Sequence, residues 1–187
     1  MKSEKGKGGE AMTAGKLASR LRTEIDLALD ADYIEPDRVD DYIAGLDSLL
    51  DRIYDFGESE SEAALSVALY FVREIPSVFN NVHDECELEM FCCDLAESVM
   101  ALATETGGSV LEPTVRLVEA YLGDAHDACR FDDVPDILAK ARLSKDDRAA
   151  VAGLLMSKAA KADEREATRL RGLANIISGP RTMKNRR

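Results

Sequence analysis

Between residues 36 and 57 the chain reads PDRVDDYIAGLDSLLDRIYDFG. Its apolar side chains recur at intervals of three and four residues, at Val39, Ile43, Leu46, Leu50 and Ile53. This spacing places them on one face of an α-helix, because a helix repeats about every 3.6 residues. Pro36 suits the first turn of such a helix, and Gly57 predicts its end. The stretch therefore predicts an acidic amphipathic helix.

The same helical spacing continues on both sides of this stretch. An earlier helix is predicted from Thr13, with a stripe of Leu17, Leu21, Ile25 and Leu29. Later helices are predicted from Ser59 or Ser61, Asp84, Pro113, Pro135, Ser144 and about Glu164. Pro76 and Gly107-Gly108 are predicted to break the chain of helices, and Ser144 with Asp147 has the spacing of a capping box. No stretch alternates apolar and polar residues for long enough to form a strand. The sequence predicts an all-α fold of about seven or eight antiparallel helices, packed as a bundle or a short array of helical pairs.

Two basic segments flank this predicted helical region. Residues 1–12 are rich in Lys, Gly and Ser and lack periodic apolar residues, so they predict a disordered tail. Gly179-Pro180 should end the last helix, and residues 179–187 predict a second disordered basic tail. Residues 13–178 are then a single helical domain.

The charge of the chain is distributed unevenly. Residues 23–136 contain 29 Asp and Glu against 5 Lys and Arg, a net charge of −24. Residues 1–22 carry +4 and residues 137–187 carry +8, within a total of −12. An acidic body of this kind repels nucleic acid, whereas the basic ends attract acidic surfaces. Protein partners are therefore favoured over nucleic acid.

The sequence also indicates where the protein works. No run of residues approaches the roughly 20 apolar positions that a transmembrane helix needs. The start of the chain lacks the apolar segment of a secretory signal. The four cysteines are then most simply reduced thiols. These features predict a cytoplasmic protein without a membrane partner.

The tetrapeptide pattern H-D-x-C occurs twice, and it contains the only two histidines of the chain. The four side chains concerned are His83, Cys86, His126 and Cys129. Residues three apart share a helix face, so each imidazole could lie beside its thiol. Two such pairs would supply the tetrahedral nitrogen and sulfur ligands that suit zinc. The alternative is a chance match, because Cys is also a common small core residue.

The remaining chemistry-bearing residues predict no catalytic and no cofactor-binding site. Cys92 and Cys93 are adjacent, which suits neither a redox C-x-x-C motif nor chelation from one helix face, and one of them is expected to pack in the core. Asp132-Asp133 is expected to lie at the start of a helix, and the acidic clusters are expected to lie on solvent-exposed helix faces. Those clusters are Asp37, Asp40 and Asp41, and Glu85, Glu87 and Glu89. No Glu-x-x-His pair and no phosphate-binding glycine loop occurs.

Residues 117–141 read LVEAYLGDAHDACRFDDVPDILAKA. This stretch resembles the helical region downstream of SWIM zinc fingers in some prokaryotic proteins. The shared features are a His and a Cys late in one helix, an Arg after the Cys, and a Pro-Asp turn followed by Leu-Ala. The resemblance implies paired helices in a prokaryotic protein. The closely spaced ligands of the finger itself have no match here, so the resemblance implies no binding through a finger.

The sequence as a whole favours a non-enzymatic helical protein-interaction module with an acidic body and basic ends, which binds a protein partner or associates with itself. Two alternatives remain open. One is a zinc-binding helical protein that uses the two H-D-x-C segments. The other is a nucleic-acid-associated accessory protein that uses its basic ends.

Overall fold

Apart from the predicted end at Gly57, the helices begin and end close to the positions that the sequence predicts. A computed structural model of the chain describes residues 13–82, 85–123, 131, 133–141 and 143–179, without the side chains of 85, 86 and 123. These ranges contain seven α-helices and no strand, which confirms the all-α class. The helices are α1 (Ala14–Leu29), α2 (Val39–Glu74), α3 (Glu85–Glu105), α4 (Leu111–Gly123), α5 (Val134–Lys140), α6 (Lys145–Ala159) and α7 (Glu164–Ser178). Short 3-10 turns at Pro36–Arg38 and Ile75–Val78 flank α2. None of the described helices is long and apolar enough to span a bilayer.

Side-chain capping explains the starts of α6 and α7, whereas the Thr13 side chain makes no capping bond at the start of α1. Thr13 precedes α1 with extended backbone angles, as an N-cap residue does. The Ser144 hydroxyl accepts the Asp147 backbone N–H at 3.0 Å and donates to the Asp147 carboxylate at 2.7 Å. The Asp163 carboxylate accepts the Glu166 N–H at 2.9 Å. The bonds from the Asp147 and Glu166 backbone N–H groups satisfy donors that have no partner inside their helices.

Helix α2 is bent, and the bend corrects the predicted end at Gly57. Helical hydrogen bonding continues past Gly57, but Glu60 has φ −142° and ψ 58°. The helix thus consists of a first arm, residues 39–59, and a second arm, residues 61–74. A Cβ built on Gly57 would lie 3.5 Å from Ala64 Cβ, although these residues are about 10 Å apart along a straight helix. The chain therefore turns back on itself within α2.

Helix α1 packs against both arms of α2. On the first arm, the Tyr42 hydroxyl donates to the Ala28 carbonyl at 3.0 Å, and desolvation by burial raises the pKa of Tyr42 to about 12. On the second arm, the Arg22 guanidinium donates to the Ser66 hydroxyl at 2.7 Å. The buried residues of α1 are Leu21, Ile25 and Leu29. They lie in the stripe that the sequence predicts, so this stripe is the core-facing side of α1.

Helix α3 covers the other side of α2 and completes the main core. The rings of Phe71 on α2 and Phe91 on α3 are 5.3 Å apart at a tilted angle. Leu95 and Leu102 of α3 are fully buried. After α3 ends at Glu105, Gly107 adopts φ +63°, the left-handed conformation that glycine favours. The predicted break at the glycine pair is therefore confirmed.

The last helices form an antiparallel pair, α6 and α7, that is joined to the rest by polar contacts as well as by packing. The Arg148 guanidinium donates to the carbonyl oxygens of Ile177 and Ala141, both at 2.9 Å. One side chain thus holds the end of α7 against the residue that follows α5. On α4, Glu119 pairs with Lys158 of α6 at 3.1 Å. This arrangement leaves one side of α3 open to solvent.

Candidate functional site

The open side of α3 and the first arm of α2 form a cleft with acidic walls. Positions 47, 50, 51 and 54 lie on one face of α2, and positions 94, 97 and 98 on one face of α3, because each set is spaced by three and four. The cleft encloses about 310 Å³ of space. Its lining residues are Asp47, Leu50, Asp51, Tyr54, Asp94, Glu97 and Ser98. Leu50 is buried and forms an apolar floor.

The carboxylates of this cleft repel one another. Burial and the nearby charges of Asp94 and Asp51 raise the pKa of Asp47 above its usual value. Asp47 and Asp51 are four residues apart on one helix, where like charges are destabilising. Within the described part of the chain, no lysine or arginine lines the cleft. The cleft is therefore a place where negative charge is concentrated without a compensating cation in its lining.

The cleft continues along α3 into a second hollow of about 400 Å³ in which α5 forms the far wall. The two hollows share Glu97, and the second is lined by Glu97, Met100, Ala101, Thr104, Glu105, Ile137, Lys140 and Ala141. Met100 and Ile137 are mostly buried and give this end an apolar base. We call the two hollows together the acidic groove. Among the residues that the structure describes, five carboxylates and one cation line it, and its length follows a single exposed stripe of α3.

Another acidic hollow, between α1 and the end of α2, differs from the acidic groove in how its charges are compensated. That hollow, of about 380 Å³, contains Asp26, Asp30 and Glu74. Asp26 accepts the Tyr70 hydroxyl, and this bond is the main cause of the raised pKa of Tyr70. Glu74 pairs with Arg73 at 2.6 Å. Two of its three carboxylates are thus satisfied within the chain, which makes the acidic groove the stronger candidate for an external cation.

The sequence did not predict the acidic groove. Asp37, Asp40 and Asp41, which the sequence assigns to a solvated face, are exposed as expected. The residues that matter, Asp47 and Asp94, lie on different helices. The spacing of Asp47, Asp51 and Tyr54 could have shown that these residues share a face of α2, but nothing local shows that α3 packs beside it.

The adjacent cysteines have different surroundings, and neither is an activated nucleophile by its position. Cys92 is fully buried in the core, as expected for one member of the pair. Cys93 is half-buried and faces Asp133, the residue before α5. Burial and the charge of Asp133 raise the pKa of the Cys93 thiol to about 12. The thiolate is the reactive form of cysteine, so this raised pKa disfavours reaction of Cys93 near neutral pH. Asp133 occupies the predicted helix-start position but makes no side-chain capping bond.

The side chains of the four predicted zinc ligands lie outside the part of the chain that the structure describes. His83, His126 and Cys129 are not among the described residues, and the side chain of Cys86 is not described. Among the side chains that are described, no group of three or more His, Cys, Asp and Glu could hold a metal ion. Zinc binding by the two H-D-x-C segments therefore stays a prediction.

The stretch that resembles the region downstream of SWIM zinc fingers includes residues 124–130, which are likewise outside the described ranges. That resemblance also stays a prediction. Neither protein-family models nor curated proteins nor solved structures gave a match to this chain.

Proposed function

We propose that this chain is a non-enzymatic helical protein-interaction module whose acidic groove binds a basic segment of a protein partner. The lining of the cleft supports this proposal, because it brings together Asp47, Asp51, Asp94 and Glu97. Desolvation by burial, together with the charges of Asp94 and Asp51, raises the pKa of Asp47. A cationic ligand would relieve the repulsion among these carboxylates. A cationic ligand and a proton compete for the same carboxylate. Binding of the ligand would therefore lower the pKa of Asp47.

The shape of the acidic groove fits an extended or helical peptide better than a small molecule. Its exposed α3 stripe runs from position 94 to position 105, which is about 17 Å at the rise of an α-helix. Its apolar base, formed by Leu50, Met100 and Ile137, gives the stems of Lys and Arg side chains a surface to cover. The carboxylates at its rim pair with the charged heads. Electrostatic attraction of this kind sets the rate and specificity of encounter more than the final affinity.

A peptide with the sequence of residues 180–187, PRTMKNRR, is a suitable probe because it carries four cations and no acid. The probe would be labelled with a fluorophore and titrated with the full chain while its anisotropy is followed. We expect saturable binding that weakens steeply as salt is added, because exposed charges are screened. A matched peptide with Gln at the four basic positions should not bind. Absence of binding by the basic peptide at low salt would refute the proposal.

Two double variants locate the site. Asp51→Asn with Asp94→Asn removes two carboxylates of the acidic groove, and each exposed ion pair contributes about 0.2–1 kcal/mol. The affinity for the probe should therefore fall about 2- to 30-fold at ~0.15 M salt. The control, Asp37→Asn with Asp40→Asn, removes the same charge from exposed positions outside the acidic groove. Equal losses in the two variants would show that net charge, and not this groove, attracts the peptide.

A further inference from the structure

The end of the last helix is held beside the acidic groove by one arginine side chain. The Arg148 guanidinium donates to the carbonyl oxygens of Ile177, near the end of α7, and Ala141, just after α5. Two carbonyl oxygens that share one planar guanidinium lie within about 8 Å of each other. Ala141 also lines the acidic groove. The end of α7 is therefore next to the part of the groove that α5 walls.

The chain leaves α7 in an extended conformation, and a basic stretch follows in the sequence. Gly179 has φ −62° and ψ 148°, and it precedes Pro180, which disfavours continuation of the helix. Residues 180–187 read PRTMKNRR and carry four cations and no acid. We call them the tail segment. An extended chain spans about 20 Å from position 181 to position 187, which is close to the roughly 17 Å of the α3 stripe in the acidic groove.

The charges of the acidic groove and of the tail segment are complementary in sign and in size. The carboxylates of the groove are Asp47, Asp51, Asp94, Glu97 and Glu105. None of them forms an ion pair with another residue that the structure describes. With Lys140 as the cation in the described lining, five negative charges and one positive charge leave −4. The four cations of the tail segment equal that charge.

We infer that the tail segment binds in the acidic groove of its own chain and competes there with the basic segment of the protein partner. This inference rests on the function proposed above and adds an internal competitor to it. A tethered segment acts at an effective concentration on the order of 1 mM. With a Kd on the order of 0.1 mM for the free peptide, the tethered copy weakens peptide binding about tenfold. A partner must therefore bind more tightly than the tail segment before it fills the groove.

The labelled peptide PRTMKNRR tests this competition in two triple variants of the full chain at low salt. The tail variant replaces three cations of the tail segment by Gln, at Lys184, Arg186 and Arg187. The control variant removes the same charge near the start of the chain, by Gln at Lys2, Lys5 and Lys7. We expect the tail variant to bind the peptide about 3- to 10-fold more tightly than the control variant. The unchanged chain should bind the peptide within about twofold of the control variant.

The possible outcomes separate this inference from the proposed function. Equal affinities of the two triple variants would overturn the inference and leave the proposed function intact, whereas absence of binding by both would overturn the two together. Sedimentation equilibrium at low salt distinguishes the chain's own groove from that of a second copy. At about 0.1 mM protein the tethered segment outcompetes a neighbour's about tenfold, so the unchanged chain should keep the mass of one chain, 20.4 kDa. A mass that rises with concentration, and does so less in the tail variant, would refute binding within one chain.

Discussion

Gly57 lies where the bent helix α2 meets α3, and its replacement by Ala tests that contact. A Cβ at position 57 would lie 2.4 Å from Leu102 Cδ2, well inside the 3.5–4.0 Å of a normal carbon–carbon contact. Leu102 is fully buried, so its side chain has to move by about 1 Å within a packed core. Overpacking of this kind costs about 1–3 kcal/mol. Ala also gains ~0.8–1.0 kcal/mol over Gly in a helix, so the net loss for Gly57→Ala should be roughly 0–2 kcal/mol.

A matched variant separates these two contributions. Gly45 lies on the same arm of α2, is exposed, and has nothing within 4 Å of its Cβ position. Gly45→Ala should therefore stabilise the protein by ~0.8–1.0 kcal/mol through helix propensity alone. Urea unfolding followed by circular dichroism measures both variants, and the difference between them should be about 1–3 kcal/mol.

Repeating the substitution in a Leu102→Ala variant makes the test specific to the contact with α3. Leu102→Ala removes the atoms that collide with the new Cβ, so in that background Gly57→Ala should become as favourable as Gly45→Ala. The packing of α3 on α2 described here would be refuted if Gly57→Ala stabilised the otherwise unchanged chain as much as Gly45→Ala does.

Four further predictions follow from individual side chains. Folding raises the pKa of Asp47, so a proton on this carboxyl favours the folded state. The resulting stability is fully present below the pKa of Asp47 in the unfolded chain, and it is lost as the pH rises through the pKa in the folded chain. Asp47→Asn should then stabilise the protein by about 0.2–0.5 kcal/mol near neutral pH in low salt, and not in acid, which urea titrations at both pH values would measure. Near neutral pH the Cys93 thiol should react with iodoacetamide far more slowly than a free thiol, and Asp133→Asn should speed that reaction. Mass spectrometry of the alkylated peptide 90–97 would measure both rates. Thr114→Val should stabilise the protein by ~1 kcal/mol, because the buried Thr114 hydroxyl has no hydrogen-bond partner among the described residues, and thermal unfolding would measure this gain. If the H-D-x-C segments bind zinc, untagged protein should contain about one zinc per chain by elemental analysis and Cys129→Ser should lose it; substoichiometric zinc that this variant leaves unchanged would rule the site out.

The fold could be predicted where local chemistry determines it. The starts of α6 and α7 follow Ser144 and Asp163, because capping involves only the next few residues. The bend in α2 is different. Gly57 predicted an end, whereas its role is to let Leu102 approach closely, and the chain bends at Glu60 instead. Close packing between helices that are distant in sequence has no local signal.

The acidic groove could not be predicted for the same reason. The overall charge of −24 for residues 23–136 predicts an acidic body but not where the charge is concentrated. Asp47 becomes part of a site only because α3 brings Asp94 beside it. In contrast, the clusters of adjacent acids that are conspicuous in the sequence, such as Asp40 and Asp41, face solvent. Spacing along one helix shows which residues share a face, and only the packing of two helices shows which faces meet.

The repulsion among the carboxylates of the acidic groove can be measured by NMR titration of the Asp47 side-chain carboxyl in the unchanged chain and in Asp94→Asn, because burial, the larger cause of the raised pKa, is common to both. We predict a pKa above the ordinary 3.8 of an aspartate, lowered toward that value in Asp94→Asn and lowered further when the basic peptide is bound. An Asp47 pKa at or below 3.8 in the unbound protein, unchanged by Asp94→Asn, would contradict the account.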